Sequence, residues 1–145
     1  MENTAVFSCC IGTTDPMAPL GVEIWLDQEQ IFNLDHVDTV VEFKHEFIDS
    51  AGEHQLQFVM KNKTQDHTQI DDQGNIVRDA SLTISAIAFE EIELGQTFVD
   101  QAVYQHDFNG TQPLTDDSFF GIMGCNGTVS FSFTTPIYLW LLEHM

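Results

Sequence analysis

Basic residues are nearly missing from this chain of 145 residues: 4 Lys or Arg stand against 23 Asp or Glu, a formal net charge of -19. All four cations, Lys44, Lys61, Lys63 and Arg78, lie in the central stretch 44–78. Residues 1–43 carry 8 acids and residues 79–145 carry 9, and neither stretch has a cation. Phosphate backbones and anionic lipids attract basic stripes, so this charge excludes nucleic acid and a polybasic membrane contact as partners. No segment approaches the roughly 18 uninterrupted apolar residues of a membrane span. The opening stretch has an acid at Glu2, no basic n-region and only a short apolar run, and does not read as a secretory signal. Cysteine is also scarce. The adjacent pair Cys9 and Cys10 and the distant Cys125 form no CxxC or zinc spacing, and read as free, inert thiols of a reducing compartment.

Catalytic signatures are missing too. There is no Gly-x-Ser-x-Gly elbow, P-loop, dinucleotide fingerprint or His-Glu-x-x-His. The histidines at 36, 45, 54, 67, 106 and 144 are scattered without metal spacing, and Glu91 and Glu93 share one strand face without a cleft between them. The expectation is a protein that is not an enzyme.

What is abundant is apolar alternation. Twelve Phe and two Trp give the chain enough apolar surface to collapse despite its charge. Val22, Ile24 and Leu26 alternate with polar neighbours; so do Leu56, Phe58 and Met60, the stretch 82–89, and the stretch 128–133. Period two with β-branched and aromatic residues marks half-buried strands. Shorter candidates cover 39–43 and 91–94. Turn chemistry falls between them at Asp15-Pro16, Ser50-Ala-Gly52, Asp72-Gln-Gly-Asn75, Asn109-Gly110 and Asn126-Gly127. The stretch 136–143 suits a short helix with proline at its start, or a final strand, since Ile137, Leu139 and Leu141 also alternate. The expected fold is an all-β antiparallel sandwich of jelly-roll type, one domain over 1–145, with residues 1–20 as an extended N-terminal arm and one short C-terminal helix.

Three groups of residues invite chemistry. The loop 64–79 holds Asp66, Asp71, Asp72, Asn75 and Asp79, hard oxygen donors of the kind calcium takes, although the EF-hand spacing is absent; a solvated hairpin connection is the alternative. Tyr104, His106 and Asp107 precede an Asn-Gly turn and combine an aromatic face with polar groups, as a sugar site does, or else serve the core and the turn. Trp25 points opposite to Val22, Ile24 and Leu26 if its strand is regular, which places it in an interface or on a sugar-binding sheet. Near the end, Tyr138, Trp140 and Leu142 are either tucked into the core or docked on another subunit.

Two resemblances follow from particular residues. The run Gly52-Glu-His-Gln-Leu-Gln-Phe-Val-Met-Lys-Asn62, the acidic loop, and Asp79-Ala-Ser-Leu-Thr-Ile-Ser-Ala-Ile-Ala-Phe89 resemble the calcium-dependent xylan-binding jelly-roll modules. That likeness implies a carbohydrate-binding fold, calcium and a polysaccharide ligand. More of the chain is similar to small proteins of marine tailed bacteriophages, notably cyanophages. Its residues are Lys61-Asn-Lys-Thr64, Asp66-His-Thr68, Asp71 to Asp79, Tyr104-x-His-Asp-Phe-Asn-Gly-Thr111, Gly121-x-Met-Gly-Cys-Asn-Gly127 and Thr135-Pro-Ile-Tyr-Leu-Trp-Leu-Leu-Glu143. This implies a phage origin rather than a mechanism. The leading expectation is a non-enzymatic virion structural protein of a tail fibre, baseplate or capsid decoration, assembled in the host cytoplasm with itself or other phage proteins. The alternative is a calcium-assisted carbohydrate-binding module for host-surface glycans. Cation-free faces repel one another, so self-association predicts apolar contacts or a bridging divalent ion.

Overall fold

The computed structural model describes residues 3–64 and 67–145, the side chain of Arg78 excepted. Its strands run β1 (Thr4–Thr13), β2 (Gly21–Leu26), β3 (Glu29–Leu34), β4 (Val41–Ile48), β5 (Gly52–Lys61), β6 (Thr68–Ile70) and β7 (Ile76–Asp79). They continue as β8 (Leu82–Phe89), β9 (Ile92–Glu93), β10 (Val103–His106), β11 (Thr115–Ser118), β12 (Ile122–Met123) and β13 (Gly127–Thr135). Helix α1 (Gln96–Gln101) precedes β10, and α2 (Ile137–His144) follows β13.

Two antiparallel sheets form the sandwich. One has the order β12-β8-β1-β4 with β9 on β8, and the other β11-β10-β13-β5-β2-β3; β6 and β7 make a separate hairpin. The strands predicted from alternation are present, and their apolar residues point inward. Leu56, Phe58 and Met60 of β5 lie opposite Phe131, Val129 and Gly127 of β13, and Val22 and Ile24 of β2 are fully buried beside them. Aromatic rings join the sheets: Phe7 to Phe58 at 6.1 Å, Phe47 to Phe133 at 5.7 Å, and Phe89 to Phe133 at 4.7 Å between centroids. Burying each such side chain contributes about 1.5–3 kcal/mol, so this inner layer dominates the favourable side of folding.

Two expectations are corrected or settled. In place of an extended arm, residues 4–13 form β1, which lies inside its sheet, paired with β4 on one side and β8 on the other, with Ala5, Phe7, Cys9 and Ile11 buried. Its inward row includes small Ala5 and soft Cys9, which weaken the alternation in the sequence without weakening the burial. The stretch after Pro136 is helical, not a strand. The Asp49 carboxylate accepts the Ile137 N–H at 2.7 Å, satisfying one of the donors that a helix start leaves without an internal partner.

Candidate functional site

The outward face of the six-stranded sheet is built by the residues alternating with the core. Register aligns Trp25 of β2 with Gln57 of β5, Ser130 of β13 and Val103 of β10. Beside this row stand Glu23, Val59, Thr128 and Gln105 on one side, and Gln55 and Ser132 on the other. Trp25 therefore points away from Val22 and Ile24, as its alternation predicts, and is half-buried, with Gln57 and Gln30 opposite it on the two neighbouring strands. Its indole is fixed. Nε1–H donates to Glu23 Oε1 at 2.9 Å, and Lys61 Nζ approaches Glu23 Oε2 at 3.1 Å, Asp35 Oδ1 at 3.0 Å and Asn33 Oδ1 at 2.5 Å. Partial burial opposes the charge on Glu23, but hydrogen bonds from Trp25 and Lys61 outweigh it and hold the carboxyl below its ordinary value. The Asp35 hydrogen bond, with help from Glu23, raises Lys61 despite desolvation.

At its lower end this face runs into a cleft of about 720 Å³ between the Asp27–Gln28 turn, the start of β5, the end of β13 and α2. Gln55 and Ser132 line both the face and the cleft, and Glu53 and Glu143 bring acids to it. His144 stacks on Trp140 at 4.4 Å, with its Nδ1 2.8 Å from the Trp140 carbonyl oxygen. Deeper lies a chain that imitates a hydrolase triad: Asp27 Oδ2 is 2.6 Å from His54 Nδ1, and His54 Nε2 is 3.0 Å from Thr135 Oγ1. Thr135, however, is buried and its hydroxyl donates to the Ser50 carbonyl, so its proton is directed away from His54 and the oxygen is not presented to a substrate. The chain ties a turn to two strands. Sequence reasoning missed it because Asp27 and Thr135 lie 27 and 81 residues from His54.

The described acids of the loop do not converge on a metal. Asp66 lies outside the described residues. Asp71 Oδ1 accepts the backbone N–H groups of Asn75 and Gln73, both at 2.9 Å, and these bonds lower its carboxyl below the usual range. Asp72 and Asn75 are exposed in the same turn. Asp79 Oδ1 accepts from Lys63 Nζ at 2.6 Å and from Thr68 Oγ1 at 2.7 Å. Among the described residues no group of three or more His, Cys, Asp or Glu is placed to hold a metal ion. The loop's described part includes the antiparallel hairpin of β6 and β7.

The second candidate group serves the core and the turn. Tyr104 is buried beside Phe119; its hydroxyl donates to the Cys125 carbonyl and accepts the Cys125 N–H at 2.9 Å, and desolvation pushes it well above its ordinary value. His106 is buried with Nε2 2.7 Å from Asp117 Oδ2, and Asp107 Oδ1 accepts the Gly110 N–H at 2.8 Å to close the turn. Tyr104 and His106 nonetheless contribute to the lining of a shallow surface pocket with Phe108, Phe120 and Cys125, while Asp107 serves the turn. Trp140 is no interface residue, since it packs on Phe89 and Phe131 and is 3% exposed; Tyr138 and Leu142 are outward, at 54% and 79%.

No protein-family model and no curated protein matches the chain. Solved structures do. The selenomethionine form of vCBM60, described as linking two families of calcium-dependent carbohydrate-binding modules by circular permutation, is similar at TM-score 0.51 and 11% identity, over 88% of this chain and 89% of that one. vCBM60 in complex with galactobiose is similar at TM-score 0.48 and 12% identity, over 87% and 96%. Identity this low shows a shared fold: the chain is an all-β antiparallel sandwich with the architecture of a carbohydrate-binding module.

Proposed function

We propose that the chain is a non-catalytic carbohydrate-binding module that takes a neutral glycan on the outward face of its six-stranded sheet. The observation that carries this reading is Trp25, held by Glu23 and Lys61 amid Gln55, Gln57, Ser130 and Ser132. An indole face covers the C–H surface of a sugar ring, and amides and hydroxyls exchange hydrogen bonds with its hydroxyls. Fixing the indole beforehand lowers the ordering cost of binding. The likeness to vCBM60 supports the same reading at the level of fold. A net charge of -19 disfavours uronate and sulfated polysaccharides, which leaves neutral ones. The described acids of loop 64–79 do not fit calcium, so no part of recognition is assigned to a metal. On a phage particle this face would attach the virion to a host-surface glycan, and Tyr138 and Leu142 would face its other proteins.

The test is retention on immobilised neutral polysaccharide, xylan among the first, against alginate as the acidic control. Neutral glycan should retain the protein and quench Trp25 fluorescence. Trp25→Ala should weaken binding about tenfold to a hundredfold, the ~1.5–3 kcal/mol of one large buried side chain. Failure to bind any neutral glycan, or equal retention of Trp25→Ala, would refute it.

A further inference from the structure

Lysine is the residue least expected in a core, yet the side chain of Lys63 is 1% exposed. Its Nζ donates to Asp79 Oδ1 at 2.6 Å and to the Gly124 carbonyl at 2.5 Å. Its backbone is clamped as well: Lys63 N–H donates to Asn126 Oδ1 at 3.0 Å, and Asn126 Nδ2 donates back to the Lys63 carbonyl at 2.9 Å. Three segments distant in sequence meet here: the exit of β5, the end of β7 and the connection between β12 and β13. The Asp79 oxygen that receives the ammonium also receives Thr68 Oγ1, which draws in β6.

A carboxylate and a backbone carbonyl converging on one buried positive charge form the kind of oxygen set a hard cation takes. We propose that the Lys63 ammonium is the resident cation of this loop, supplying from within the chain the positive charge that a divalent ion would otherwise bring, so that the fold is independent of calcium. The charge pattern agrees, because three of the four cations, Lys61, Lys63 and Arg78, flank the acidic loop, and Lys44 is the one other cation of the chain. A buried ammonium stripped of its partner is strongly destabilising, so the pair must stay together for the hairpin to dock. The inference concerns the fold and stands whether or not a glycan binds.

The experiment is thermal unfolding of the full chain. Wild type should melt at the same temperature in millimolar calcium and in chelator. Lys63→Ala should melt about 10 °C lower, and n-propylammonium chloride, which matches the deleted side chain, should recover part of that loss where equimolar sodium chloride does not. If Lys63→Ala does not fold, Asp79→Asn replaces it: removing the charge at constant shape should lower the midpoint and leave the protein indifferent to calcium. A calcium-dependent rise in wild type, a Lys63→Ala or Asp79→Asn midpoint equal to wild type, or recovery by sodium chloride equal to that by propylammonium overturns the proposal.

Discussion

The indole of Trp25 is held by Glu23, two residues earlier on the same strand, through a 2.9 Å hydrogen bond from Nε1. Same-face neighbours on a strand stand two positions apart, so the sequence Val-Glu-Ile-Trp places the pair by pleat geometry alone. Lys61, delivered by the adjacent strand, then fixes the carboxylate. The acid on this face therefore orients an aromatic ring.

That dependence has a sign in pH. The Glu23 carboxyl titrates below its ordinary value of 4.5 in the folded protein, because its hydrogen bonds from Trp25 and Lys61 outweigh partial burial. A depressed acid stabilises the fold above its unfolded value and loses that contribution as pH falls through the folded one. Trp25 fluorescence, isolated by Trp140→Phe, should therefore stay constant above about pH 5 and change only on acidification below 4.5. Glu23→Gln should abolish that acid transition.

Tyr138, Trp140 and Leu142 should separate cleanly on mutation. Trp140 closes the end of the core against Phe89 and Phe131, and Trp140→Ala should cost about 3–5 kcal/mol in urea denaturation. Tyr138→Ser and Leu142→Ser, on the exposed side of α2, should stay within about 0.5 kcal/mol of wild type. Any change in elution volume on size exclusion should follow the latter two.

Much of the sandwich is legible because β2, β5, β8 and β13 alternate with large apolar residues. β1 is hidden by Ala5 and Cys9, which bury as fully as Phe7 but carry little signal. The site is harder for a different reason. Tyr104, His106 and Asp107 have the composition of a sugar site, yet two of the three find their partners at Cys125 and Asp117, in segments whose approach no local pattern encodes. Lys63 likewise meets Gly124 from 61 residues away. Trp25 was readable because alternation alone places it outward; its fixation by Lys61 needed the pairing of β2 with β5.

The two adjacent cysteines face opposite sides of β1 and should differ in access. Burial, with a smaller push from Cys10, raises the Cys9 thiol to about 12, so at pH 8 it is almost entirely protonated. Iodoacetamide followed by peptide mass spectrometry should leave Cys9 unlabelled in the native protein and label it in urea.

The alignment of Asp27, His54 and Thr135 decides between a pin and a nucleophile. As a pin, Asp27 holds two donors, His54 Nδ1 at 2.6 Å and the Gln55 N–H at 2.8 Å, and Asp27→Ala leaves both to find water. Thr135→Val deprives both His54 Nε2 and the Ser50 carbonyl of their partner. Each substitution should cost about 1–3 kcal/mol of stability. A nucleophile predicts something else: turnover of an activated ester by wild type that Thr135→Val abolishes and Thr135→Ser restores. The proton of Thr135 already points at the Ser50 carbonyl, so wild type and Thr135→Val should hydrolyse p-nitrophenyl acetate at one and the same rate, while their urea midpoints differ.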